Sequence, residues 1–516
     1  MGVASYFCHV FIRKLKNRSG SICVQIISKD CGKYEVIKTI GSTDDEHILK
    51  ELFQQAHDEL TKLTRQNKID FSFSEDEIFL KNLKENFRRM VLIGPELVLG
   101  KIFDEIGYRK IPDALFRHLV ITRLVCPGSK LKTVDYLIRH QGIYTHEDRI
   151  YRYMDCFNAN HTQTVIDITY RHTKEILNNK ITVAFYDITT LYFETSQEDD
   201  LRKLGFSKDG KAQNPQILLA LLVSVDGHPL AFEIFEGDKF EGHTLIPVIQ
   251  TFKKKYQLPE LIVVADAGLL SADNIKELIT LHYPFILGAR LKNETNVLKE
   301  QILRYSFTDG KTITIQKENN IRLLVNYSVK RAKKDAHTRA RGLEQLEKKI
   351  KSGKLTKEHI NNRGYNKYLR IKNEVAVEID YQAYQEDNKW NGLKGYVTNC
   401  SLSETEIMDN YKHLWTIEKA FRISKTDLRI RPIYHRLERR IKTHICLAFC
   451  SYKIYKELER VLKTNKSSFT VEQILRIIKT IHQAQVILPQ SKKEVQLLLP
   501  LDDEQRQVLR LFDIPF

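Results

Sequence analysis

Several signatures of common protein classes are absent from this sequence. No apolar run reaches the roughly 18 residues that a transmembrane helix needs, and the first residues contain no apolar signal core. The eight cysteines are scattered, and no two of them form a CxxC pair. We therefore expect a cytoplasmic protein with reduced cysteines, no membrane association and no cysteine-based zinc site.

Motifs of two enzyme classes are missing as well. There is no glycine-rich Walker loop, so work driven by nucleotide hydrolysis is not supported. His435 and His444 are nine residues apart and do not match the HExxH spacing of metalloproteases. A structural or DNA-contacting role is favoured for both. His228, in the segment DGHP, is interpreted as a turn residue.

Acidic residues are outnumbered by basic ones. The 516-residue chain has 65 Asp and Glu against 82 Lys and Arg, a formal charge of +17, and its sequence pI is about 9.2. This balance favours a polyanionic partner, most simply nucleic acid. The alternative is a basic enzyme without such a partner. The apolar fraction of 42% fits a globular protein with several structural units.

The periodicity of apolar residues changes along the chain and predicts a mixed α/β protein. Strands predominate at the N-terminus, helices follow, and apolar β-branched runs then indicate a sheet. The run ITVAFYDITTLYFE is interpreted as two strands. The predicted regions are 1–75, β-rich with a helix; 76–180, helical; 181–290, α/β; 291–403, a β-rich insertion; 404–460, helical; and 461–516, a mostly helical tail.

Two of these regions are candidates for binding DNA. Region 76–180 carries basic residues outside an apolar helical stripe, which suits either a DNA-binding unit or a helical packing domain. Residues 330–354 hold ten Lys and Arg against three acids. That stretch predicts either a helical DNA clamp or a solvated helical arm.

Two aspartates follow apolar runs that resemble buried strands. Asp187 ends the run VAFYD, and Asp266 ends LIVVAD. A carboxylate cannot lie unpaired inside a sheet without large cost, so both are expected at strand ends, where a metal ion offsets their repulsion. The alternative for each one is a turn residue or a helix cap.

A helix predicted around residues 408–427 carries a mixed stripe. Glu418 and Lys425 lie seven residues apart and therefore on almost one line of the helix. Its leucine and aromatic members, Tyr411, Leu414 and Trp415, are interpreted as core. Glu418 is a third candidate metal ligand, and Arg422 shares its stripe. An ordinary amphipathic helix is the alternative.

The segment after this helix is strongly basic. LRIRPIYHRLERRIKTHI presents Arg429, Arg431 and His435 among further arginines. Phosphate contact is one interpretation, and a solvated basic face is the other.

Four ordered blocks together resemble a known family: FYDITTLYFE, then GFSKDGKAQNPQILLALLVSVDGHPLAFEIFEGDKFEGHTL, VVADAGLLSADNI and YKHLWTIEKAFRISKTDL. They look like the DDE transposases of bacterial insertion sequences, in the subgroup with a tyrosine–arginine–glutamate–lysine signature. Within it, the longer branch with RPIYH after the signature is the most similar. The resemblance covers residues 180–450 well and the N-terminal third more loosely.

The resemblance implies a ribonuclease-H-like core formed by residues 181–290 and 404–460. Asp187, Asp266 and Glu418 would then hold two Mg²⁺ ions, with Mn²⁺ as a substitute. Tyr411 and Lys425 match signature positions that contact DNA at the transposon end. The signature arginine is replaced by Leu414, so one phosphate contact of the family pattern is missing.

The expected function is therefore metal-dependent cleavage and strand transfer of double-stranded DNA, at transposon ends and target. A homodimer in the synaptic complex and a nucleoid-associated location in a bacterial cytoplasm are implied. The DNA-contacting set would comprise Tyr411, Arg422, Lys425, Arg429, Arg431 and His435. The alternatives are a ribonuclease-H-like nuclease without strand transfer and a non-catalytic DNA-binding descendant.

Overall fold

The computed structural model describes residues 9–30, 32–64, 75–206, 210–211, 213–258, 260–269, 271–353, 355, 359–361, 364–371 and 377–516. Two compact units are present. The smaller comprises Met1–Phe87 and Ile487–Lys492, and the larger comprises Arg88–Val486 and Lys493–Phe516. Among the described residues, no helix combines the length and the apolar character that a membrane crossing requires.

The smaller unit is a three-stranded antiparallel sheet with two helices. Its elements are β1 (His9–Lys16), β2 (Ile22–Asp30), β3 (Lys33–Thr43), α1 (Glu46–Thr64) and α2 (Glu75–Asn86). The strands follow in the order β1-β2-β3. Val24 and Ile26 on β2 are buried with Ala56 of α1, because alternate strand residues face one side of the sheet. The predicted strands and the helix are confirmed.

The larger unit begins with a helical region, which the sequence predicted. Its elements are β4 (Phe87–Leu92), α3 (Lys101–Ile106), α4 (Ala114–Val125), α5 (Lys130–Tyr136) and α6 (Glu147–Ile176). Asp113 and Ser129 begin α4 and α5, since their side chains accept hydrogen bonds from Leu115 N and Lys132 N. Strand β4 was not predicted.

The central sheet follows. Its first elements are β5 (Val183–Tyr192), β6 (Gln216–Ser224), β7 (Pro229–Glu236), α7 (Leu245–Tyr256), β8 (Ile262–Ala265), α8 (Ala272–Thr280) and β9 (Phe285–Ala289). The strands are ordered β7-β6-β5-β8-β9. Strands β5, β6 and β7 are mutually antiparallel, whereas β8 and β9 run parallel to β5. This order and direction are those of a ribonuclease-H-like fold, as expected. The prediction of two strands in 181–194 is wrong, because β5 is continuous.

The insertion continues this same sheet. Its elements are α9 (Asn296–Arg304), β10 (Thr312–Gln316), β11 (Arg322–Tyr327), α10 (Val329–Lys351), β12 (Leu369–Ile371), β13 (Val377–Ile379), α11 (Tyr381–Glu386) and β14 (Leu393–Thr398). Strand β14 pairs with β9 and then with β11, giving eight strands ordered β10-β11-β14-β9-β8-β5-β6-β7. The predicted basic helix is α10, and Lys354 lies outside the described residues.

The C-terminal part supplies helices and a small sheet. Its elements are α12 (Glu404–Lys412), α13 (Trp415–Thr426), α14 (Glu438–Thr464), α15 (Val471–Ile477), β15 (His482–Ile487), β16 (Glu494–Leu498) and α16 (Asp503–Leu511). Strand β15 lies between β16 and β4 in a three-stranded sheet. The prediction of a mostly helical tail therefore missed two strands. Helix α14 packs on α4 and α6, and most of its surface is buried.

A buried charged network crosses this helical packing. Lys453 of α14 is fully buried and donates hydrogen bonds to Glu457 at 2.9 Å and to Thr173 at 3.0 Å. His228 is also buried, with its Nδ1 at 3.4 Å from Lys453 Nζ. The interpretation of His228 as only a turn residue is therefore incomplete, because its ring also closes this network. Burial alone would raise the pKa of Glu457, but the charges of Lys453 and Arg460 outweigh it and hold that pKa at about 2.

We predict that Glu457→Gln lowers the free energy of unfolding by about 3 kcal/mol, because it leaves the Lys453 ammonium buried without its counter-charge. The Glu457 carboxylate contributes fully above its ordinary pKa of 4.5, and this contribution is lost as the pH falls towards 2. Urea denaturation at pH 7 and pH 3 measures both effects. Glu344→Gln is the matched control, since its partner Lys348 is exposed. Equal stability of both variants would contradict the prediction.

Candidate active site

Asp187 and Asp266 lie at the same level of two adjacent parallel strands. The last register pair between β5 and β8 is Tyr186 with Ala265. The next residue on each strand is Asp187 or Asp266, so their backbones are separated by about one strand spacing of ~4.8 Å. Asp266 ends its strand as expected. Asp187 does not, because β5 continues to Tyr192 through its pairing with β6.

Local hydrogen bonds orient both carboxylates. Asp187 Oδ1 accepts from Ile188 N at 2.8 Å, and Asp266 Oδ1 accepts from Gly268 N at 2.8 Å. Asp187 is half-buried and Asp266 is exposed. A Cβ at Gly268 would lie 2.9 Å from Asp266 Oδ1, so glycine lets the turn fold back on the carboxylate.

Tyr411 and Glu418 approach from the helices that follow the insertion. Helix α12 begins in a capping box formed by Ser403 and Glu406. Near its end, Tyr411 is buried and its hydroxyl lies against Gly288 of β9. Burial raises the pKa of Tyr411, and the negative charge of Asp266 raises it further, with Glu418 adding in the same sense. Asp266 and Glu418 therefore act on the same phenol from two different elements.

Two basic residues at this place were not predicted from the sequence. Lys394 of β14 lies over the ring of Tyr411, with its Nζ 4.3 Å from the centroid. Burial and the charge of Arg331 lower the pKa of Lys394 to about 8, while Glu418 opposes them. Arg331, in the first turn of α10, also lowers the pKa of Tyr411. The feature of the sequence that could have identified Lys394 is the presence of a lysine in the strand LKGYVT, which is largely buried.

The donor chemistry of the three predicted carboxylates fits a hard divalent cation such as Mg²⁺. Their present geometry is open, however. Within the part of the chain that the structure describes, no three His, Cys, Asp or Glu side chains are gathered closely enough to share an ion. Glu418 is exposed in the first turn of α13, and Asp266 is also exposed, so burial restrains neither of these two side chains.

The remaining signature positions lie on or beside α13. Leu414 is buried immediately before the helix, as expected for a core residue. Trp415 was also interpreted as core, and this is wrong, since its exposed fraction is 55%. Its neighbours Thr416 and Ile417 point to the core instead. Arg422, one turn beyond Glu418, is exposed. Lys425, two turns beyond Glu418, is half-buried.

Arg429, Arg431 and His435 lie together in the loop between α13 and α14. Arg429 is exposed and Arg431 is half-buried. The His435 ring contacts those of Tyr151 and His444, with centroids 6.1 and 5.2 Å away. Burial and neighbouring cations lower the pKa of His435 to about 3. His435 is therefore neutral, and any contact it makes to DNA is a hydrogen bond without charge.

Comparison with known proteins places more than half of the chain in one family. The sequence profile described as the transposase DDE domain matches residues 178–454. No curated protein matches the chain.

Two solved structures are similar in part. The piggyBac transposase synaptic complex with hairpin DNA matches at 9% identity and a TM-score of 0.38, over 75% of this chain and 79% of that chain. The Mos1 transposase paired-end complex with the left transposon end matches at 11% identity and a TM-score of 0.16, over 34% and 58%. Both scores are low, so the fold is assigned from strand order and direction alone.

We predict that Gly288→Ala destabilises the protein by about 1–3 kcal/mol, because the added Cβ would overlap the Tyr411 hydroxyl and lie 3.0 Å from Ala267 N. Tyr411→Phe removes that hydroxyl, so Gly288→Ala should cost less when it is combined with Tyr411→Phe. Thermal unfolding of the four proteins of this double-mutant cycle measures the coupling. Strictly additive effects would show that the two residues do not meet.

Proposed function

This chain belongs to the family of transposase DDE domains, and on that premise we propose that it is the DNA transposase of a bacterial insertion sequence. We place it in the subgroup with the tyrosine–arginine–glutamate–lysine signature. Its substrates are the terminal inverted repeats of its element and a target DNA, and its reaction is strand cleavage followed by strand transfer.

The observation that carries this proposal is the register of β5 and β8. It puts Asp187 and Asp266 side by side where the parallel pairing ends, beside the Tyr411 phenol that Asp266 and Glu418 both influence. Asp187, Asp266 and Glu418 would hold two Mg²⁺ or Mn²⁺ ions. Bound there, such ions activate the attacking oxygen and stabilise the leaving one.

The protein's own contribution is positional and electrostatic. Water adds to a phosphorus atom of the backbone, and the bond to the 3′ oxygen breaks, leaving a 3′-hydroxyl. The oxygen of that hydroxyl then attacks the phosphorus of a phosphodiester in the other strand or in the target. A new P–O bond forms as the P–O3′ bond there breaks, and the displaced oxygen takes up the proton as a second 3′-hydroxyl, so no covalent protein–DNA intermediate is needed. Arg422 and Lys425 hold the transposon end. Tyr411 was expected to contact it as well, but Tyr411 is buried with its hydroxyl against Gly288 and supports the site from within.

The partners follow from this reaction. Double-stranded DNA matches the formal charge of +17 and places the protein at the bacterial nucleoid. Synapsis of two ends calls for a homodimer on DNA. Helix α10, basic along much of its length, is a candidate DNA clamp.

We predict that Asp187→Asn, Asp266→Asn and Glu418→Gln each reduce cleavage at least about 100-fold, the scale of removing one group that stabilises developing charge. The substrate is labelled DNA carrying the sequences that flank the gene, with Mg²⁺ present. Asp273→Asn, an exposed carboxylate at the start of α8, is the control and should cut normally. Undiminished cutting by Asp187→Asn would eliminate the carboxylate assignment.

Analysis of the same reactions identifies the products. Joined DNA supports a transposase, whereas cut ends alone would identify a nuclease without strand transfer. Binding without cleavage by the unmodified chain, in the presence of Mg²⁺ or Mn²⁺, would identify a non-catalytic DNA-binding protein. Chelation with EDTA should stop cleavage and leave DNA binding measurable.

We predict that Lys425→Ala weakens binding to the same DNA and reduces the slope of log affinity against log salt by about 0.9, because one phosphate contact is lost. Binding is measured by fluorescence anisotropy in EDTA over a series of KCl concentrations. Lys254→Ala removes an exposed lysine from α7 and serves as the charge-matched control. An unchanged slope for Lys425→Ala would exclude its phosphate contact.

A further inference from the structure

A cavity of about 340 Å³ lies between the turn that precedes α5 and the loop that joins α13 to α14. The sequence analysis placed Arg429, Arg431 and His435 on this loop without identifying a pocket. The opposite wall is formed by Gly128, Ser129 and Lys130. These two segments are nearly 300 residues apart in the sequence, so only the fold brings them together.

Lys130 is the unusual member of the wall. Only 6% of it is exposed, yet within the described residues its ammonium has neither a hydrogen-bond acceptor nor a carboxylate partner. Burial lowers its pKa, and the nearby Arg123 lowers it further. A buried cation without a counter-charge is costly, and this one lies on the wall of an open cavity.

Behind this wall, neighbouring side chains provide no anion. Arg123 is buried and donates to Leu428 O at 3.1 Å. His444 Nε2 lies 2.9 Å from Ile430 O and must donate to it, so Nδ1 is left to accept from Arg123 at 3.3 Å. This arrangement makes His444 neutral and fixes the loop around Arg429.

Asp155, the carboxylate whose charge acts on His435, is already paired. Asp155 accepts from Arg440 at 2.7 Å and from Arg439 at 2.9 Å. It therefore has its own counter-charges and does not compensate Lys130. The described residues that line the pocket include the cations Lys130, Arg429 and Arg431 and no carboxylate, while Arg123 lies behind the wall.

We propose that this pocket binds one phosphate of the DNA backbone, with Lys130 as the buried point charge and Arg429 and Arg431 beside it. This inference rests on the proposed function and adds a DNA-binding subsite to it. His435 and His444, both neutral, shape the wall without contributing charge.

The pocket lies beside the end of the strand that carries Asp187. The Arg431 guanidinium lies 5.7 Å from the ring centroid of Tyr192, and Tyr192 is the last residue of that strand. Asp187 lies five positions earlier on β5, about 17 Å along the strand, and its side chain faces the opposite side of the sheet from that of Tyr192. DNA held in this pocket therefore lies near the end of β5, beyond the proposed cleavage site.

Lys130→Met tests the proposal, because it removes the charge and keeps an unbranched apolar side chain. Affinity for a 30-base-pair duplex carrying the sequences that flank the gene is measured in EDTA across a KCl series. We expect about tenfold weaker binding at low salt and a slope smaller by about 0.9. Lys132→Met removes an exposed lysine from the same helix and should change the affinity and the slope far less. Equal losses of affinity from the two variants, or no loss from Lys130→Met, would show that the pocket does not bind DNA.

Thermal unfolding with inorganic phosphate distinguishes a pocket that binds phosphates of the DNA backbone from one that binds free phosphate. If phosphate raises the Tm of the unmodified protein but not of Lys130→Met, and the DNA slope also falls, the pocket binds phosphate groups of DNA. If phosphate protects only the unmodified protein while DNA binding is identical in both, the pocket takes free phosphate and the DNA assignment is overturned.

Separate controls distinguish a misfolded variant, and a failure of the proposed function, from a failure of the pocket. We expect Lys130→Met to be at least as stable as the unmodified chain, since it removes an uncompensated buried cation. Should it not fold, exposed Arg429→Gln carries the same test with the same expected slope. If the unmodified protein cuts and joins DNA while neither variant alters binding, only the pocket fails. If it binds through the pocket but cuts nothing, the proposed function fails instead.

Discussion

The parallel pairing of β5 with β8 is the contact on which the candidate active site depends. It ends at Tyr186 and Ala265, and an aspartate follows on each strand. Both strands are buried up to that point, so neither carboxylate can sit one residue earlier without losing solvent. A slip of one residue would turn one carboxylate to the opposite face of the sheet. Sheet register therefore determines whether these groups can act together.

Two buried lysines in the larger unit have opposite surroundings. Lys453 is fully enclosed, but Glu457 and Thr173 satisfy its ammonium. Lys130 is almost as buried, lies on a cavity and is near Arg123. The first environment is complete within the folded chain, as in a structural network. The second is completed by an anion from outside, which is what separates a binding site from a core contact.

Much of the architecture could be predicted because it depends on local pattern. The strands at the N-terminus, the helices of region 76–180 and β8 with Asp266 after it are encoded by periodicity. The helix predicted around residues 408–427 is instead divided into α12 and α13. The errors have physical causes. β5 continues past Asp187 because β6 pairs with it, and β4, β15 and β16 form a sheet between distant segments, which no local window reveals.

The same reasoning explains which site residues could be found. Asp187, Asp266 and Glu418 stood out because carboxylates next to apolar runs are conspicuous. Lys130 and Lys394 did not, since one lysine among many is ordinary until burial distinguishes it. Whether Trp415 is core or exposed was likewise beyond the pattern, because a helix start can face either way.

The pairing of β14 with β9 has a consequence for how this chain can vary in length. Deleting everything between β9 and α12 would turn β9 into an open edge, with unpaired amide and carbonyl groups ready to recruit another molecule. The segment between β11 and β14, which includes α10, lies outside the strands of the sheet and carries no such penalty. Changes of length after α10 would therefore leave the edge of β9 covered, whereas changes at the start of α10 would disturb Arg331 beside Tyr411.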